Sequence, residues 1–111
     1  MLYERARVGW DGEPDAVLTP SESGKGQTIL RCPDCRVAVS SHYSGGGDKV
    51  HFIRAGTLDD RSAVKPDVHI YTSSKQSWVV LPDGSPAFAE FYAPKEFWSD
   101  EAMARWRAAV A

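Results

Sequence analysis

The chain has 111 residues, 42% of them hydrophobic and 25% charged, with 13 Lys and Arg against 15 Asp and Glu and a formal net charge of −2. That composition excludes a disordered or collagen-like chain. The acidic balance argues against a nucleic-acid partner, whose recognition needs a basic footprint to displace counterions. At this length a single domain spanning residues 1–111 is expected, with a radius of gyration of roughly 13 Å.

The opening Met1-Leu2-Tyr3-Glu4-Arg5 has no apolar stretch of the signal-peptide kind. Apolar runs such as Trp78–Leu81 stop at four residues, too short to span a bilayer. The expectation is a cytoplasmic protein with no membrane partner. Residues 5–10 read as an edge strand that could cover an open sheet edge, and Gly12-Glu13-Pro14-Asp15 as a turn. Ala16–Thr19 is a short strand ended by Pro20, followed by a polar hairpin tip over 21–26 whose glycines lack phosphate-loop spacing. Gln27–Arg31, Arg36–Tyr43 and Lys49–Ala55 predict a three-stranded meander, with Ser44-Gly45-Gly46-Gly47-Asp48 as its second turn. Residues 56–67 break the alternation. Val68–Tyr71 and Ser77–Leu81 read as further strands, and the aromatic run 87–92 as a segment packing across the sheet. Ser99, followed by Asp100 and Glu101, opens a helix with Met103, Trp106 and Val110 on one stripe. The fold class expected is mainly β, antiparallel sheets with one C-terminal helix.

The first meander turn is Arg31-Cys32-Pro33-Asp34-Cys35-Arg36. Two cysteines close at most one small loop, which excludes a disulfide framework. Three readings of this Cys-x-x-Cys stay open: two thiolates of a tetrahedral zinc site, a redox pair, or a bare turn. The redox reading suffers because a strand, not a helix N-terminus, follows the second cysteine. His42, His51 and His69 sit inside apparent strands, where packed or solvent-facing residues are expected rather than ligands.

The order of Cys32-Pro33-Asp34-Cys35, a strand and Gly-rich turn, Gly56-Thr57-Leu58-Asp59-Asp60, His69-Ile70, Lys75 and Trp78 resembles the second half of the glutathione-dependent formaldehyde-activating enzyme family over residues 15–98. The resemblance implies a β-tent fold held by zinc. It also implies a carbon–sulfur lyase activity on adducts of glutathione with formaldehyde, with glutathione as co-substrate. Family members carry a structural four-cysteine zinc site and an open three-cysteine site taken as catalytic. Cys32 and Cys35 match the second half of the structural site. The first half and the catalytic trio would lie upstream of Met1, so the chain reads as an N-terminally shortened member.

Several expectations follow from that reading. The chain alone shows no lyase turnover. Cys32 and Cys35 are the metal residues, and two copies could complete a four-sulfur set in a homodimer. Asp59, Asp60, Lys75 and Trp78 are the candidate substrate contacts. Adjacent carboxylates in a turn are, however, more often turn formers. Arg54 and Phe88 are weaker candidates of the same kind. The competing function is a small non-catalytic β binding module stabilised by zinc.

Overall fold

The computed structural model describes residues 1–111. β-branched and aromatic residues alternating between Gly- and Pro-rich turns produce five strands: β1 (Leu2–Glu4), β2 (Asp15–Thr19), β3 (Gln27–Arg31), β4 (Ala38–Tyr43) and β5 (Val50–Ile53). They form one antiparallel sheet in the order β1-β5-β4-β3-β2. The β2–β3 hairpin pairs Asp15 with Arg31 and Thr19 with Gln27. At its tip Gly24 takes φ +76°, a left-handed value that glycine adopts without steric cost. A bulge between Leu30 and Arg31 offsets the last β3–β4 pair just before the cysteine turn.

The edge strand expected over residues 5–10 lies elsewhere. Leu2–Glu4 pair with Val50–Phe52, and the Met1 carbonyl accepts the Ile53 N–H at 2.7 Å. Residues 5–7 are a single 3-10 turn. The edge of the strand at 50–53 is therefore covered by the first residues of the chain, which form the edge strand themselves.

The sheet centre is unusually polar. Ser40 and Ser41, on successive positions of the central strand, are 1% and 2% exposed and face opposite sides of the sheet. Burying a hydroxyl is costly unless it is paired. The Ser40 hydroxyl bonds the His51 ring at 3.2 Å, and Ser41 accepts from the Arg54 guanidinium at 3.2 Å. Around them Ile29, Leu30 and Val50 are the buried apolar side chains.

Helix α1 (Asp100–Val110) starts as expected, with the Ser99 hydroxyl accepting the Ala102 N–H at 3.1 Å. Its Met103, Trp106 and Val110 stripe is half-buried. Trp106 lies on Gly46, where even a methyl group would come within 3.1 Å of the indole. Arg105 reaches Glu4 of β1 at 3.1 Å, which ties the helix to the sheet edge.

Residues 55–98 differ from their expected structure. Neither 68–71 nor 77–81 forms a strand. The first makes one isolated parallel bridge, His69 with Ala87, and Tyr71 turns left-handed at φ 53°. The second folds into a turn closed by the Val79 N–H on the Gln76 carbonyl, and leaves Trp78 76% and Val80 89% exposed. The aromatics of the 87–92 run cluster with a later residue. Phe88 and Tyr92 both meet Phe97 edge-on, at 5.6 and 5.5 Å between ring centres. The radius of gyration, 14.9 Å, exceeds the roughly 13 Å of a tightly packed chain of this length because this half is laid out openly. No helix is long and apolar enough to cross a membrane.

Candidate functional site

The cysteine turn is built by the β3–β4 hairpin. The Cys32 N–H bonds the Val37 carbonyl at 2.9 Å, and the Arg36 N–H bonds the Cys32 carbonyl at 3.0 Å. Arg36 closes the turn at φ 64°, a conformation seldom taken by a non-glycine residue. Its guanidinium is paired with the Asp15 carboxylate on β2, and its carbonyl receives the Arg31 guanidinium at 3.0 Å. The turn is thus braced on both sides. The backbone N–H of Cys35, then that of Asp34 and the Cys35 thiol, hold the Cys32 thiol below its ordinary range. These donors act where a helix N-terminus would in a redox motif. Both cysteines are free, Cys32 half-buried and Cys35 exposed.

The donor set tests the zinc that the resemblance implies. Two sulfurs at Cys-x-x-Cys spacing suit half of a tetrahedral site. No group of three or more His, Cys, Asp or Glu side chains is placed to hold a metal ion. One copy of the chain therefore presents two sulfurs in one turn and no group of three ligands.

A second site lies on one face of the sheet. Strand alternation puts Ala16 and Leu18 of β2, Leu30 of β3, His42 of β4 and His51 of β5 on that face. With Trp10 they line an open cavity of about 630 Å3, within the size range of small-molecule pockets. Trp10 stands edge-on over His51 at 5.8 Å between ring centres. Arg5, Lys25 and Asp48 bring both signs of charge to the same cavity, and the Arg5 guanidinium is paired with the Asp48 carboxylate.

His42 and His51 are cross-strand neighbours with ring centres 4.5 Å apart. The Nδ1 of His42 donates to the Val50 carbonyl at 2.8 Å, because a carbonyl can only accept. The Nδ1 of His51 meets the buried Ser40 hydroxyl. Burial lowers the pKa of His51 below its usual value. The neighbouring His42 and Arg5 push the same way, and Asp48 opposes them. Burial thus favours the uncharged form of the His51 ring.

The substrate contacts expected from the sequence lie elsewhere. Asp59 and Asp60 are exposed in the loop after β5. Asp60 accepts the Ser62 N–H at 3.0 Å and its hydroxyl at 2.6 Å, the work of a turn former. Those two bonds lower the Asp60 pKa below its ordinary value. Lys75 is exposed after a 3-10 turn, Trp78 projects into solvent, and none of the four lines the cavity. Arg54 is occupied with Ser41, and Phe88 belongs to the aromatic cluster. Taken one at a time in the sequence, His42 and His51 read as packed residues rather than ligands, and their pairing was not read. Their signal was available: a hairpin centred on Gly46-Gly47 sets position 42 opposite 51.

Residues 1–74 match the family model described as glutathione-dependent formaldehyde-activating enzyme. Asp59 and Asp60 fall inside the matched span, whereas Lys75 and Trp78 fall outside it. No curated protein and no solved structure matches the sequence.

Proposed function

The chain belongs to the glutathione-dependent formaldehyde-activating enzyme family, and on that premise we propose that it binds a glutathione adduct on the sheet-face cavity without turning it over unaided. Carbon–sulfur lyase chemistry on such an adduct calls for an open metal centre acting as Lewis acid, or ionising a bound thiol or water. The single observation carrying the reading is the donor set: two cysteines in one turn, and no cluster of three ligands. Cys32 and Cys35 fit half of a structural zinc site, and a second copy of the chain is one source of the other half.

The cavity supports adduct binding by its charges and its shape. A glutathione adduct carries two carboxylates, one ammonium and a thioether sulfur with a small substituent, hydroxymethyl in the formaldehyde adduct. Lys25 offers a cation to one carboxylate, and the Arg5–Asp48 pair would have to open to meet the second carboxylate and the ammonium. Trp10 and Leu18 flank the histidines with apolar surface for the sulfur end.

Two measurements test this. The purified chain, supplied with zinc, is assayed for formation and cleavage of S-hydroxymethylglutathione; the expected rate equals the spontaneous one, and clear zinc-dependent turnover would overturn the proposal of inactivity. Binding of the inert thioether S-methylglutathione is followed by NMR in chelator-treated buffer. Shifts centred on Trp10, His42 and His51 are expected. Shifts centred instead on Asp59, Asp60, Lys75 and Trp78 would move the site to the loops that the sequence pointed to.

A further inference from the structure

We propose that His42 and His51 together form a two-imidazole site for a late first-row divalent metal ion, separate from the cysteine turn. Three observations carry it. The rings are paired across adjacent strands with centres 4.5 Å apart. Two imidazoles sharing one ion, at about 2.0–2.1 Å from each nitrogen, have ring centres roughly 5 Å apart, close to the separation of these two. Both Nδ1 atoms are engaged by the protein, His42 with the Val50 carbonyl and His51 with the Ser40 hydroxyl. This is the outer-sphere bonding that orients ligating histidines and fixes which nitrogen is free. Neither Nε2 has a partner, and both rings line the open cavity.

The tautomers follow from the partners. His42 must carry its proton on Nδ1 to donate to a carbonyl, which leaves the Nε2 lone pair free. A serine hydroxyl can donate or accept, so an ion on His51 Nε2 selects the tautomer in which Nδ1–H donates to Ser40. Ser40 is 1% exposed and cannot swing away, which makes it a positioning residue for the ring. The charges around the rings set limits on the ion. Arg5 is paired with Asp48 and brings little net charge, whereas the Lys25 ammonium lines the same cavity and opposes a cation. Neutral imidazoles prefer borderline ions over Mg2+ or Ca2+, and the order of affinity peaks at Cu2+. Two protein ligands leave the remaining positions to water. This site stands on its own geometry and does not depend on the adduct reading, which is tested with metal removed.

The experiment uses the full chain carrying Cys32→Ser and Cys35→Ser, so that no sulfur competes. Cu2+ is titrated and followed by electron paramagnetic resonance, and Zn2+ by 15N NMR of the imidazoles. The expected result is one ion per chain, hyperfine structure from two nitrogens, and Nε2 shifts on both rings. His42→Asn should weaken Cu2+ binding at least tenfold. Ser40→Ala should weaken it by about 10- to 100-fold and release the fixed tautomer of His51 in the NMR spectrum. A single coordinating imidazole, or no binding at one equivalent of Cu2+, would overturn the proposal. Because the spectra read the native rings directly, the outcome does not hang on whether the His42 variant folds.

Discussion

The two halves of the chain are stabilised in different ways. Residues 1–54 form a ladder in which each strand has a hydrogen-bonded neighbour and even the buried hydroxyls are satisfied. Residues 55–98 contain similar stretches of β-branched and aromatic residues but form no strand, and are held by irregular backbone hydrogen bonds between 69–73 and 86–90, with one isolated bridge among them, and by a knot of aromatic rings. Strand propensity is present in both halves; a partner strand is present in only one. Propensity marks residues that suit a pleated surface, and the ladder is made only where topology supplies the neighbour.

The largest effect that separates the halves is core truncation. Leu30 is buried on the cavity face of β3, so Leu30→Ala should cost about 2–5 kcal/mol in chemical denaturation. Val80, 89% exposed in the trailing half, should tolerate Val80→Ser within about 0.5 kcal/mol. Equal losses at both positions would mean that the two halves share one core, and would erase the comparison.

The contact between the sheet's last turn and the helix comes next. Gly46 is enclosed by Trp106 and Val50, with a would-be Cβ at 3.1 and 3.2 Å from them. The indole is rigid and cannot yield as a flexible side chain would. Gly46→Ala should therefore destabilise by about 1–3 kcal/mol through overpacking. A neutral result would show that α1 rides loosely on the sheet. Ser99→Ala should cost about 1 kcal/mol, since it removes the cap on the Ala102 N–H. A smaller loss would mark the helix end as frayed already.

How much of this was legible in the sequence follows the same division. The bounds of β3 were readable to the residue because the polar tip over 21–26 and the Cys-Pro turn bracket it. The Ser99 cap and the helix stripe were readable because they are local patterns. β1 was misplaced because it is three residues long and pairs with a strand nearly fifty positions away. The strands expected at 68–71 and 77–81 were read from local alternation and propensity, in a stretch where Pro66 and Pro82 cannot donate to a ladder and Tyr71 is left-handed. The Cys-x-x-Cys was visible as a motif. The histidine pair was not, because its residues are nine positions apart and meet only through the hairpin register. Each histidine taken singly reads as a packed residue; the shared face brings the two rings together.

The smallest effect concerns the trailing half and decides what Asp60 is for. Its carboxylate is exposed and already accepts two hydrogen bonds from Ser62, which stabilise the charged form and lower its pKa. A carboxyl whose folded pKa is depressed contributes its stabilisation above its unfolded value, and loses it as pH falls through the folded one. The contribution is therefore complete at neutral pH and fades only in strong acid. Ser62→Ala removes the hydroxyl bond and keeps the backbone one. It should raise the Asp60 pKa part of the way towards the ordinary carboxylate value in a 13C-detected titration, with a small loss of stability at pH 7 that disappears in strong acid. If the pKa stays depressed in that variant, the charged form is being held by something other than the turn. Asp60 would then regain its standing as a binding residue, and the loop after β5 would have to be counted with the sheet as part of the working surface.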